Sequence, residues 1–165
     1  GSFSISAYNL SFKCQIGSNG LTSLESKIEG DKTTPRGFWL LKSIYYRHDR
    51  LNLPSLAPNC CLKMKIINED CGWCDDPSSN KYNKYIKIKK HIQFRYEKLW
   101  RVDGAYDIII ELDYNQNPTI KQKGSAIFVH CSFENLNSTA GCVAVKKNDL
   151  ITLIKKIKNK TYLKL

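Results

Sequence analysis

Hydrophobic and polar residues alternate in short runs along most of the chain, which is the period-two pattern of β-strands with one buried face. One late segment differs. From Asn148 onwards the hydrophobic residues recur every three or four positions, which predicts an α-helix capped by Asn148. The predicted strands are Ser2–Leu10, Phe12–Ile16, Phe38–Tyr46, Cys61–Ile67, Tyr85–Ile88, Tyr106–Leu112, Ser125–Cys131 and Thr161–Leu165.

The segments between these runs are short and polar. Gly17-Ser18-Asn19-Gly20 has the composition of a hairpin turn, and the Pro-containing stretch Arg47–Pro58 predicts an irregular excursion. The number of strands predicts a mostly β fold, a sandwich or barrel with one or two helices. With a mass of 19.0 kDa, we expect residues 1–165 to form a single domain. Gly1-Ser2 is typical of residues left over from cloning.

The charge is strongly basic, with 26 Lys and Arg against 15 Asp and Glu and a net charge of +11. Such a balance favours an anionic partner. Only five of the basic residues are Arg, however, and recognition of phosphates and bases prefers Arg. We therefore expect a lysine-covered surface and no nucleic-acid partner. The longest apolar runs are far shorter than the ~18 residues that a membrane span needs, so we expect no stable membrane insertion.

Seven cysteines cannot all pair within one chain, so at least one thiol is free. Cys60, Cys61, Cys71 and Cys74 could together bind zinc, form a local disulfide or remain free thiols. The adjacent pair Cys60-Cys61 argues against zinc, because neighbouring side chains on an extended chain point to opposite sides. The sequence leaves these alternatives open, with free thiols the expectation.

The strongest candidate for catalysis is the pair His130 and Cys142. A nucleophilic thiol needs a nearby base and donors for a developing oxyanion. Gly141 allows the backbone to approach a reacting carbonyl closely, and His130 lies at the end of a predicted strand. The alternative is structural, since a strand-end histidine and a small buried cysteine often occur within a dozen residues of each other.

Several motifs resemble those of the YkuD family of L,D-transpeptidase catalytic domains, in which a strand histidine precedes an (S/T)-x-G-C nucleophile motif. The similarity covers nearly the whole chain after the first strands and looks like that of one proteobacterial branch. The matching motifs are Gly30–Gly37 (GDKTTPRG), Tyr45–Arg50 (YYRHDR), Gly72–Pro77 (GWCDDP) with Tyr82-Asn83, Leu99–Arg101 (LWR), Tyr106-Asp107, Gly124–His130 (GSAIFVH) and Ser138–Ala144 (STAGCVA).

The resemblance implies a peptidoglycan L,D-transpeptidase that transfers an acyl group in two steps. Cys142 would attack the carbonyl between an L-centre and a D-residue, and an amine of a second stem peptide would then attack the thioester. His130 would be the base, and backbone amides around Gly141 and Cys142 would form the oxyanion hole, with no metal or organic cofactor. The implied partners are donor and acceptor stem peptides and carbapenem-type inhibitors. The implied location is the periplasm or cell envelope, and we expect a monomer.

The substrate-binding residues are harder to assign. We expect Ser138, Thr139, Trp73, Arg47 and Arg101 to contact the stem peptides. Many family members carry His directly before the Gly-Cys pair and Arg or Asn two residues after the Cys.

In this chain those two positions are Ala140 and Ala144. The group that holds the donor carboxylate is therefore open between Arg47, Arg50, Arg101 and a lysine. Two alternatives to cross-linking also remain: hydrolysis of stem peptides at the same Cys/His site, as a carboxypeptidase or endopeptidase, and a non-catalytic wall-binding module.

Cys131 adjoins His130 and provides a test of strand register. If His130 faces the catalytic cleft together with Phe128, then Cys131 must face the other way with Val129 and Ile127. We expect Cys131 to be buried and to have a raised pKa, and the pKa of Cys142 to be lowered by the imidazole and nearby amides.

Overall fold

The structure is a computed structural model that describes residues 3–7, 9–133 and 135–165. Within these residues the elements are β1 (Phe3–Ala7), β2 (Leu10–Gln15), β3 (Leu21–Thr22), β4 (Thr34–Pro35), β5 (Phe38–Tyr46), α1 (Leu53–Leu56), β6 (Lys63–Ile66), β7 (Cys71–Cys74), β8 (Lys84–Lys87), β9 (Tyr96–Lys98), β10 (Ile108–Leu112), β11 (Phe128–Ser132), β12 (Val143–Lys146), α2 (Lys147–Ile154) and β13 (Tyr162–Lys164).

A mixed eight-stranded sheet forms the centre of the molecule. Its strand order is β1-β2-β12-β11-β10-β5-β13, and β6 also pairs with β5. The nine-residue strand β5 accommodates both partners, because β13 pairs with its first residues and β6 with its last four. A smaller antiparallel sheet has the order β8-β7-β9, and β3 and β4 form a short parallel pair.

The two faces of the large sheet are covered differently. Alternate residues of the central strands, such as Ile110 on β10 and Val129 on β11, pack with helix α2 in one core cluster. The intervening residues, such as Ile109 and Phe128, pack against Trp73 of the small sheet in a second cluster. Both faces of β10 are therefore buried, which explains its run of three isoleucines, 108–110. The mostly β sandwich predicted from the sequence is confirmed.

Two local predictions were wrong. The N-terminal hairpin joins β1 to β2, with Ala7 opposite Leu10, rather than turning at Gly17–Gly20. Residues Gly17–Gly20 do form a turn, but the following strand β3 pairs in parallel with β4. Helix α2 begins at Lys147 after an N-cap at Lys146, so Asn148 is not its cap. The irregular stretch Arg47–Pro58 contains the one-turn helix α1, at whose start the Ser55 N–H donates a hydrogen bond to the Asn52 side-chain oxygen.

No helix among the described residues has the length and hydrophobicity needed to cross a lipid bilayer.

Candidate active site

Neighbouring parallel strands bring His130 and Cys142 to the same face of the large sheet. On β11, Val129 and Cys131 pack on the α2 side, so Phe128 and His130 point to the opposite side. β12 pairs with β11 so that Val143 lies beside Val129. Cys142, one residue before Val143, therefore belongs to the Phe128 side. The expected strand register is confirmed, and Cys131 is only 1% exposed.

The Cys142 thiol is buried and contacts two backbone groups. Its Sγ donates to the Ala126 carbonyl oxygen at 3.1 Å and accepts from the Phe128 N–H at 3.3 Å. Burial, reinforced by the negative charge of Glu97, raises the pKa of Cys142 to about 12. The expectation of a lowered pKa is wrong, because loss of solvent outweighs the nearby amide dipole. The pKa of Cys131 is also raised to about 12 by burial, as predicted.

His130 is held in one orientation by its own strand. Its Nδ1 lies 2.9 Å from the backbone oxygen of Cys131. Because a carbonyl oxygen can only accept, Nδ1 carries the proton and the lone pair of the neutral ring is on Nε2. The ring of Tyr106 packs edge-on against the imidazole, with centroids 5.3 Å apart. Burial lowers the pKa of His130 to about 4, so the ring is neutral at physiological pH.

A small hydrogen-bond network fixes the loop before Cys142. The Thr139 hydroxyl donates to the Cys142 carbonyl oxygen at 2.6 Å and accepts from the Gly141 N–H at 3.1 Å. The Thr34 hydroxyl donates to the Gly141 carbonyl oxygen at 2.8 Å. Gly141 has a φ of +138°, and a Cβ there would lie 2.9 Å from the Thr33 carbonyl oxygen. Only glycine fits this position. The GDKTTPRG segment, which contains Thr33 and Thr34, therefore packs directly against the loop that carries Cys142.

This network limits which amides can stabilise an oxyanion. The Gly141 N–H is already bonded to Thr139, so it does not point freely towards a reacting carbonyl. The Cys142 N–H has no hydrogen-bond acceptor within residues 3–7, 9–133 and 135–165. Of the two amides expected to form the oxyanion hole, the structure leaves the one of Cys142 available.

A cavity of about 590 Å³ opens above Cys142 and His130. Of the residues predicted to bind substrate, Ser138, Thr139 and Arg101 line it. The remaining lining residues comprise charged groups, small residues and an apolar rim: Lys27, Glu29, Gly30, Asp75, Arg95, Glu97, Ala105, Tyr106, Ser125, Ala126, Ile127, Phe133, Leu136 and Ala140.

Two predicted substrate-binding residues lie elsewhere. Trp73 is 2% exposed and packs edge-on against Phe128 beneath the cavity, where its indole N–H donates to Asn83. Arg47 is 4% exposed and makes a bidentate ion pair with Asp49. Its guanidinium also stacks 3.4 Å above the Trp100 ring. Both residues therefore organise the core around the site and do not reach the cavity.

Several cavity residues were not predicted from the sequence. Glu97 accepts a hydrogen bond of 2.5 Å from the Tyr106 hydroxyl, and its carboxylate lies 3.6 Å from Arg101. Glu29 accepts from the Ser125 hydroxyl at 2.8 Å and from the Tyr82 hydroxyl. Proximity to the matching motifs was the available signal, because Glu97 lies two residues before Leu99–Arg101 and Glu29 directly precedes Gly30–Gly37.

The remaining cysteines do not assemble into a second site. All seven cysteines are free thiols. Cys71 and Cys74 are completely buried on strand β7, whereas Cys61 is exposed. Among the described residues, no group of three or more His, Cys, Asp and Glu side chains has a geometry that could hold a metal ion.

Of the comparisons with known proteins, the one with protein-family models found a match. The model of the YkuD family, described as L,D-transpeptidase catalytic domain, matches residues 5–164, which is nearly the whole chain. No curated protein and no solved structure matches the chain significantly.

Proposed function

The chain belongs to the YkuD family of L,D-transpeptidase catalytic domains, and we propose that it joins peptidoglycan stem peptides through a thioester on Cys142. The observation that supports this most directly is that Cys142 and His130 open into the same cavity. With a volume of about 590 Å³, the cavity is large enough for a short stretch of peptide.

The first step starts from a neutral thiol and a neutral imidazole. As the sulfur attacks the donor carbonyl, the S–H proton leaves the Ala126 oxygen and moves to Nε2 of His130. The carbonyl becomes an oxyanion, which accepts the free N–H of Cys142. The imidazolium then protonates the leaving amine, the C–N bond breaks, and the D-residue departs. A thioester and a neutral His130 remain.

The second step uses the same groups in reverse. The acceptor amine gives a proton to Nε2 of His130 as its nitrogen attacks the thioester carbonyl. The C–S bond then breaks, the proton returns to sulfur, and the new amide is the cross-link. If water replaces the amine, the same thioester is hydrolysed and the stem peptide is only shortened.

Arg101 is the group best placed to hold the donor carboxylate. Of the three arginines considered, it alone is among the residues that line the cavity, and its side chain is 38% exposed. All three arginines have carboxylate partners, Arg47 with Asp49, Arg50 with Asp107 and Arg101 with Asp103, so their position relative to the cavity decides between them. A planar guanidinium matches a carboxylate well, which supports this role. We place the reaction in the cell envelope, where stem peptides are found.

The proposed function is tested by incubating the protein with purified muropeptides and weighing the products. We expect dimers whose mass equals the two reacting muropeptides minus one free D-amino acid. Cys142→Ala should abolish turnover while its circular dichroism and Tm stay close to wild type, because the change removes one sulfur atom. Cys61→Ala, at an exposed cysteine, is the matched control and should keep full activity. Turnover by Cys142→Ala would refute the proposal, and shortened monomers alone would show a hydrolase.

A carbapenem provides an independent test of the nucleophile. It should acylate the protein once, and peptide mapping should place the adduct on Cys142, because the β-lactam carbonyl stands in for the donor carbonyl. An adduct on another cysteine, or no adduct when muropeptides are turned over, would contradict the assignment.

A further inference from the structure

The cavity has a charge balance unlike that of the whole protein. The chain carries a net charge of +11, but each cation that lines the cavity already has a carboxylate partner. The pairs are Lys27 with Asp31 at 2.6 Å, Arg95 with Asp75 at 3.1 Å, and Arg101 with Asp103 through Nε at 3.1 Å. The carboxylates of Glu29 and Glu97 are therefore in excess.

Of these two carboxylates, Glu97 is the one connected to His130. It lies on strand β9 and is fixed by the Tyr106 hydroxyl at 2.5 Å. Tyr106 in turn packs against the ring of His130, so Glu97 is connected to the predicted base through one side chain. Arg101 is 3.6 Å away, and its closer contacts are to Asp103.

The surroundings of Glu97 leave its negative charge undercompensated. Its direct side-chain contacts are the Tyr106 hydroxyl and Arg101, and the carboxylates of Asp75 and Glu29 are close enough to affect its charge. Burial raises the pKa of Glu97, and the two carboxylates add to this effect against the hydrogen bond from Tyr106 and the charge of Arg101. A second positive charge at this place would relieve the repulsion.

We infer that Glu97, assisted by Glu29, is a specificity residue that binds the ammonium group of the acyl acceptor. This inference rests on the proposed function. An ammonium group has three donors and one positive charge, so it can add a cation beside Glu97, which otherwise shares Arg101 with Asp103. The carboxylate lines the same cavity as Cys142, where an acceptor must arrive to attack the thioester. The bound ammonium must first lose one proton to solvent, and the resulting neutral amine then attacks the thioester, so acceptors would be concentrated there in competition with water.

The test separates capture of the acceptor from reactivity of the thiol. Glu97→Gln keeps the shape and an oxygen for the Tyr106 hydroxyl but removes the charge. The KM for the acceptor stem should rise about three- to thirty-fold, and hydrolysed monomer should increase relative to dimer. Alkylation of Cys142 by iodoacetamide at fixed pH should become several-fold faster, because a negative charge near the developing thiolate is gone. Glu69→Gln, at an exposed position outside the cavity, is the matched control.

An uncharged nucleophile shows whether Glu97 acts through the positive charge of the acceptor. Hydroxylamine is uncharged at neutral pH, so its capture of the thioester as a hydroxamate should not weaken in Glu97→Gln. Equal losses with hydroxylamine and with the stem amine would overturn the inference, as would an unchanged acceptor KM. Absence of any turnover by the wild-type protein would overturn the proposed function and this inference with it. Cross-linking by wild type with an unchanged dimer-to-monomer ratio in Glu97→Gln would overturn the inference alone.

Discussion

The hydroxyl oxygen of Thr34 makes two hydrogen bonds that link the loop carrying Cys142 to the N-terminal part of the fold. Thr34 is fully buried, and its Oγ1 accepts from the Gly17 N–H at 2.8 Å and donates to the Gly141 carbonyl oxygen at 2.8 Å. Thr34→Val preserves the volume and removes both hydrogen bonds. Gly17 and Gly141 are themselves buried, so their polar groups would lose partners that water cannot easily replace.

The cost of Thr34→Val follows from these two contacts. Each stranded buried polar group costs about 1–3 kcal/mol, so we expect the free energy of unfolding to fall by about 2–5 kcal/mol. Thr34→Ser is the matched control, because it keeps the hydroxyl and loses one methyl group, worth about 1 kcal/mol. Turnover should fall more than about tenfold in Thr34→Val, since the Gly141 carbonyl would lose the hydrogen bond that helps to fix the loop carrying Cys142.

Urea unfolding of the three proteins, followed by circular dichroism, measures the difference directly. Thr34→Val should be less stable than Thr34→Ser by at least about 1 kcal/mol, with similar m-values. If Thr34→Val is as stable as Thr34→Ser, the two hydrogen bonds do not contribute as argued. If it is unstable but fully active, the hydroxyl holds the fold together without positioning the nucleophile.

Two further predictions follow from the pKa values of buried and paired groups. Because the pKa of Cys142 is about 12, its alkylation by iodoacetamide should accelerate about tenfold per pH unit up to pH 10, and a plateau near pH 8 would contradict this. Asp31 is partly buried, which raises its pKa, but bonds from the Ile28 N–H, Lys27 and the Thr33 N–H outweigh this and lower it to about 2. Since the folded-state pKa is below the unfolded value, Asp31 contributes stability above about pH 4 that is lost as the pH falls from 4 to 2. Urea unfolding at several pH values should show a smaller loss over this interval in Asp31→Asn.

The central strands could be predicted because their local pattern and their environment agree. Residues Ile108–Leu112 and the segment ending at Cys131 are hydrophobic and are buried in the middle of the large sheet. Strand β7 shows the opposite case. Cys71–Cys74 resembles half of a metal site when its four residues are considered alone. It is a strand because β8 and β9 pair with it on either side, and both partners lie outside the four-residue motif, later in the chain.

The candidate site could be predicted where motif and side-chain direction coincide. Cys142, His130 and Thr139 all reach the cavity, because the loop and the parallel pairing of β11 with β12 bring them to one face. Arg47 also belongs to a matching motif, but its guanidinium turns towards Asp49 and Trp100. The motif therefore identified the region of the site, whereas the direction of the Arg47 side chain also depended on Trp100, which is distant in sequence.

The protonation state of the proposed nucleophile, Cys142, was the feature that the sequence predicted least well. A nearby histidine suggests a thiolate and an imidazolium, but both groups are buried, and an ion pair would have to form where neither charge is solvated. The raised pKa of Cys142 and the lowered pKa of His130 both favour the neutral pair. A resting neutral pair is also less reactive towards stray electrophiles. It follows that proton transfer should accompany carbon–sulfur bond formation, so substrate binding, rather than a standing thiolate, would limit when Cys142 reacts.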